Sequence, residues 1–151
     1  MTHWILIADA SGARVYSTAA PNQPLQLVHE LSNPQARLPT HALVTDAPGR
    51  VAKAGAHGAR SATAPQTSAH DEAAEVFARR VAEFLKSELD RGAYTSLALA
   101  AAPHFLGMLR SMLDPGVATR LRSTLARELM HIPAADLRQY ASSLIPPGVF
   151  L

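Results

Sequence analysis

The chain opens on an apolar β-type run, His3 to Ala8, in which Ile5 and Ile7 alternate with Leu6. Asp9, Ala10, Ser11 and Gly12 follow, and alternation resumes from Ala13 to Ser17. Two such runs around a turn containing Asp and Gly predict a β-hairpin. Pro21 to Pro24 mark the next turn. Residues 25–31 put Leu25, Leu27, His29 and Leu31 on one face, which predicts a third strand ended by Asn33 and Pro34. His41 to Thr45 is a candidate short fourth strand.

Periodicity then stops over residues 47–69, a stretch of Ala, Gly, Ser, Thr and Pro that reads as a long flexible loop. It resumes at helical spacing over 71–89, with Ala74, Phe77, Ala78, Val81, Leu85 and Leu89 on one stripe. Ser68 and Asp71 fit a variant capping box, and Asp71, Glu72 and Glu75 suit the first turns. Gly92 stands where a C-terminal cap belongs. Residues 95–101 are nearly all apolar, as in a buried central strand. Pro103 opens a second helix with Phe105, Leu106, Leu109, Met112 and Leu113 on one face. Asp114, Pro115 and Gly116 break it, residues 117–122 allow another helical turn or two, and residues 125–131 read as a last strand. Pro133 opens a final helix on which Leu137, Tyr140, Ala141 and Leu144 share a face. The apolar tail, residues 146–151, must dock on this chain or on a partner; a homo-oligomer through it is one expectation.

This order predicts one α/β domain over residues 1–151, a mixed β-sheet with an antiparallel N-terminal hairpin and helices packed on it. The crossovers through the two middle helices should be parallel and right-handed. The length of 151 residues fits one core, and aromatics at 5% leave that core to Leu, Val and Ala. With no cysteine, disulfides and thiolate metal sites are excluded. The N-terminus has neither a basic n-region nor a long apolar h-region, so a secretory signal is not expected. No apolar run approaches the roughly 20 residues of a membrane span. The expected location is the cytoplasm, away from the membrane. A net charge of +2 is too mild to imply nucleic-acid binding by itself. Twelve of the fourteen basic residues are Arg, which a GC-rich genome explains as readily as phosphate recognition.

Several segments nonetheless resemble one family. They are Trp4 to Asp9 with Ala13 to Tyr16, Asp46 to Arg50, Glu75 to Arg79, and Ala102 to Arg110, with Glu128 to Pro133 as a fifth. In order and spacing they resemble the bacterial host-attachment protein family, which is related in fold to the middle domain of eukaryotic and archaeal peptide-chain release factors. The resemblance implies a release-factor-like plan of hairpin, third strand, long loop, long helix and alternating elements. In release factors the loop carries a Gly-Gly-Gln tripeptide that positions the water hydrolysing peptidyl-tRNA. Here the matching loop, 47–69, has no Gly-Gly pair, and its one glutamine, Gln66, follows Pro65. Release chemistry is therefore not expected. What the resemblance leaves is a non-enzymatic, ribosome-associated or RNA-binding module, or one that binds a translation partner, with an indirect, intracellular role in attachment.

Within the loop, Arg50, Lys53, His57 and Arg60 are the candidate binding residues, because cations beside Gly49, Gly55 and Gly58 would let side chains and backbone N–H groups reach phosphates. The plainer alternative is an ordinary solvated loop. Asp9 is expected to cap the hairpin turn through its side chain, and Asp46 has the same explanation beside Pro48 and Gly49. A metal-dependent hydrolase or nuclease using Asp9 and Asp46 is the competing reading, although no third carboxylate stands out. No two histidines stand at i,i+4, so no metal set and no cofactor is predicted. His104 is the histidine of interest, since it follows a buried strand and opens a helix, where ligands gather in α/β folds. Arg110, with Arg120, Arg122 and Arg127, would give a basic patch or merely a solvated face. Ser142 and Ser143 have no evident base.

Overall fold

A computed structural model describes residues 1–20, 22–37 and 64–150, apart from the side chains of 37 and 64–68. The candidate strand at His41 to Thr45 lies outside the described residues. The expected mixed α/β sheet is present. Its strands are β1 (His3–Asp9), β2 (Gly12–Thr18), β3 (Gln26–Ser32), β4 (Ser96–Ala101) and β5 (Leu121–Leu125), in spatial order β3-β2-β1-β4-β5. β1 and β2 form the antiparallel hairpin, pairing from His3 with Thr18 to Asp9 with Gly12. β3 is antiparallel to β2, whereas β4 is parallel to β1 and β5 parallel to β4.

Strand alternation sorts the apolar residues onto two faces. Trp4, Leu6, Ala8, Ala13, Val15, Leu97, Leu99 and Ala101 pack against α1 (Ala64–Asp90), α2 (Pro103–Met112) and α3 (Pro115–Ala118), through Phe77, Val81, Leu85, Phe105, Leu109 and Val117. Ile5, Ile7, Tyr16, Ala98 and Ala100 face the other way, onto Leu129, Leu137 and Leu144 of the C-terminal segment. β4 is covered on both sides, so all of its residues are buried, as a near-continuous apolar run demands. The predicted cap at Gly92 is realised. Its φ is +75°, its N–H donates to Leu89 O at 2.9 Å, and the Ala93 N–H donates to Glu88 O at 3.0 Å. This pair of bonds satisfies carbonyls that the end of the helix would otherwise orphan.

Four expectations need correction. The long helix begins at Ala64, not Asp71, so residues 64–69 belong to it rather than to the long loop expected over 47–69, Asp71 and Ser68 do not cap it, and its first turn holds no acid. Pro65, in the first turn, needs no helical N–H partner and marks the true start. The last strand is Leu121–Leu125, not 125–131; Leu129 instead reaches the second core from a loop. The helical turns expected over 117–122 shrink to α3, where Asp114 caps by accepting the Gly116 N–H at 2.8 Å. The final helix is a 3-10 segment, Ala134–Tyr140, continued by α4 (Ala141–Leu144). Pro133 and Leu137 still play their expected parts as entry and buried contact. The apolar tail docks on its own chain, with Val149 buried and the Phe150 ring edge-on to His3.

Candidate functional site at the carboxyl edge of the sheet

β1 and β4 run in the same direction, so Asp9 and Ala101 end at one edge of the sheet. The register places Gly12 beside Ser32, which brings the end of β3 to that edge as well. Asn33, just beyond, ties three elements together. Its N–H donates to Ser11 O at 2.8 Å, and its side-chain amide donates to Ala10 O at 2.8 Å and to Ala73 O of α1 at 3.2 Å. The amide is buried, so these bonds replace water that folding has removed.

At the tip of the hairpin, Asp9 Oδ1 accepts from the Ser11 N–H at 2.8 Å, the Ser11 hydroxyl at 2.7 Å and the Gly12 N–H at 3.0 Å. The expected turn-capping role of Asp9 is therefore present. Gly12 is needed by contact rather than by φ, because a Cβ there would lie 3.0 Å from Leu31 O. Arg14 pairs with Glu30 across the β2–β3 ladder, Nε to Oε2 at 3.2 Å, and donates to Met130 O at 3.3 Å. That second bond fastens the loop after β5 onto the hairpin. Leu129, almost fully buried, anchors the same loop from beneath.

This anchoring brings Glu128 and His131 to Asp9. One ligand atom from each of the three side chains falls within a cluster no wider than 4.8 Å. Glu128 Oε1 accepts the Met130 N–H at 2.6 Å, and Glu128 Oε2 lies 3.5 Å from His131 Nε2. Sequence reasoning predicted no metal set and missed this group. A Glu-x-x-His spacing was the available signal, but nothing in the sequence linked it to Asp9.

The other sequence candidates separate. His104, at the first turn of α2, is highly exposed and faces Asp71 of α1, Nε2 to Oδ1 at 3.8 Å. Arg110 is exposed on the same helix. Arg122 donates to Thr119 O at 3.1 Å, and the Arg127 guanidinium lies over the Tyr140 ring at 5.4 Å. Arg50, Lys53, His57, Arg60 and Asp46 lie outside the described residues. Among the described residues, no helix is long and apolar enough to cross a membrane.

No curated protein matches the sequence. Among solved structures, an archaeal translation termination factor is similar over 91% of this chain and 37% of its own length, at 11% identity and a TM-score of 0.48. The chain thus spans little more than a third of that protein's length. The sequence itself matches the family described as "Protein required for attachment to host cells" over residues 4–140, and the chain belongs to that family.

Proposed function

We propose that this host-attachment family protein is a non-enzymatic intracellular binding module that associates with RNA or ribosomes through the basic segment 47–69. Its contacts would come from Arg50, Lys53, His57 and Arg60, supported by His104 and Arg110 of α2. Support comes from the described flanks of the stretch between β3 and α1. β3 ends at the carboxyl edge and Asn33 holds the turn there. On the far side, Asp71 of α1 faces His104 at the same edge, and α1 extends back to Ala64, about 10 Å further at the helical rise. In the sequence between these flanks, residues 47–63 carry Arg50, Lys53 and Arg60 and no acidic residue, with Asp46 just before them. A run of cations without acids suits a phosphate backbone, and binding of this kind weakens steeply with salt.

Charge reversal at Arg50, Lys53 and Arg60 tests the reading. Cosedimentation with ribosomes and filter binding to RNA should both be lost, and in the unaltered protein both should fall as salt rises. Retention of binding by the triple variant would reject the segment as the contact. A cytoplasmic location belongs to the same proposal. Self-association through the tail gains no support from the structure, because Val149 and Phe150 dock within the chain.

A metal-dependent hydrolase or nuclease is the second reading. It began from Asp9 with Asp46; the convergence of Glu128 and His131 on Asp9 is the observation in its favour. It requires metal-dependent turnover that disappears in Asp9→Ala. No turnover on phosphoester and peptidyl-tRNA substrates would remove it.

A further inference from the structure

We propose that Asp9, Glu128 and His131 form a site for one divalent first-row transition ion, Zn²⁺ or Mn²⁺, at the carboxyl edge of the sheet. The claim concerns binding alone and stands whether or not the segment 47–69 binds RNA.

The site is assembled by tertiary structure. Asp9 ends β1, and the other two residues flank the Leu129–Met130 pair on the loop after β5. That loop is held at two points, the buried Leu129 side chain and the Arg14 bond to Met130 O at 3.3 Å, and the Ile132 N–H bond to Leu129 O at 3.1 Å closes a turn within it. Glu128 and His131 therefore face Asp9 from a fastened backbone.

Both carboxylates are oriented in the way metal-binding carboxylates are. Three donors engage Asp9 Oδ1, and the Met130 N–H engages Glu128 Oε1. Each carboxylate has one oxygen committed to hydrogen bonds that fix its plane, which leaves the second oxygen for a cation. The imidazole is the third donor, and its Nε2 already lies 3.5 Å from Glu128 Oε2. Bonds of about 2.0–2.2 Å to a common tetrahedral ion put ligand atoms roughly 3.3–3.6 Å apart. The cluster must therefore contract from its present spread of up to 4.8 Å. The His131 side chain, 85% exposed, is free to supply that movement.

The donor set selects the ion. Carboxylate oxygens suit Mn²⁺ as well as Mg²⁺ and Ca²⁺, and an imidazole beside two carboxylates adds a donor that suits Zn²⁺. Two carboxylates supply the oxygen donors that a divalent cation seeks. Three protein ligands leave coordination positions for water, on the solvent side where His131 is exposed.

Calorimetric titration of the full chain with ZnCl₂ and with MnCl₂ tests the site. One saturable equivalent is expected. His131→Ala and Glu128→Gln should each weaken it by at least about 10-fold, the lower end of what altering a metal's ligand environment costs. Glu128→Gln keeps an oxygen to accept the Met130 N–H, and His131 is exposed, so neither change should unfold the chain. His104→Ala is the control and should leave affinity unchanged. In the unaltered protein, Mn²⁺ should broaden the amide resonances of Ser11, Gly12 and Met130 first. Absence of one-equivalent binding would overturn the proposal. So would affinity unchanged by His131→Ala and Glu128→Gln, or broadening centred on other histidines.

Discussion

His3 Nε2 donates to the Leu144 carbonyl at 2.7 Å, joining the first strand to the end of the last helix. A carbonyl only accepts, so Nε2 carries the proton. Nδ1, 2.8 Å from Ser96 Oγ, then accepts from the hydroxyl. Burial holds the imidazole below its ordinary pKa, outweighing the Leu144 bond, which acts the other way. The folded protein thus keeps His3 neutral at pH values where an unfolded chain would protonate it. The associated stability is complete above about pH 6.5, the unfolded value, and is lost progressively as pH falls from there toward the lower folded value. His3→Gln removes the titration. Melting temperatures of the two proteins should converge as pH falls below about 6.5, the unaltered chain losing more. Parallel curves would show that His3 does not report folding.

Asn33 should matter more than its position in a turn implies. Asn33→Ala leaves Ala10 O without its amide donor and removes the link to Ala73 O of α1. The site is buried, so water cannot replace these bonds without cost. Urea denaturation should show a loss of about 1–3 kcal/mol. A change within about 0.5 kcal/mol, usual for exposed polar residues, would mean that the hairpin and α1 are not coupled through this amide.

The tail gives a third expectation. Val149 is buried and Phe150 meets the His3 ring at 6.2 Å, so deleting residues 146–151 exposes the second sheet face near His3. The loss should be about 1.5–3 kcal/mol from Val149 alone. It should appear in thermal melts, with the elution volume of the truncated chain unchanged on size exclusion. A shift to smaller assemblies would instead place the tail at an interface between copies.

How much of this was legible in the sequence depended on how local each signal was. The Asp9–Gly12 turn, the Gly92 cap and the buried β4 announce themselves through neighbouring residues, and all three are present. The start of α1 was hidden because no apolar residue larger than alanine recurs between Ala64 and Ala73, and an apolar stripe is what marks a helix against a core. β5 was misplaced because this edge strand leaves alternate positions exposed and only half-buries the rest. The pattern of Leu121, Ser123 and Leu125 is as compatible with a helical turn as with a strand. Leu125, Leu129 and Ile132 belong to one core, but a loop carries Leu129 and Ile132 there, which no period encodes. The convergence of Glu128 and His131 on Asp9 depends on that same loop.

Asp9 serves the turn through one oxygen, and this separates its structural role from any chemical one. Asp9→Asn can keep an oxygen toward the Ser11 and Gly12 N–H groups while removing the charge. Asp9→Ala removes the acceptor for all three donors at once. Hydrogen bonds to a charged acceptor contribute about 1.5–3 kcal/mol each when buried, and less at this half-exposed turn, so Asp9→Ala should cost about 1–3 kcal/mol. Asp9→Asn should cost less than half of that. If both variants lose cation affinity while only Asp9→Ala loses stability in urea, the carboxylate charge serves the ion and the oxygen serves the fold. Equal destabilisation by both would assign the charge itself to the turn.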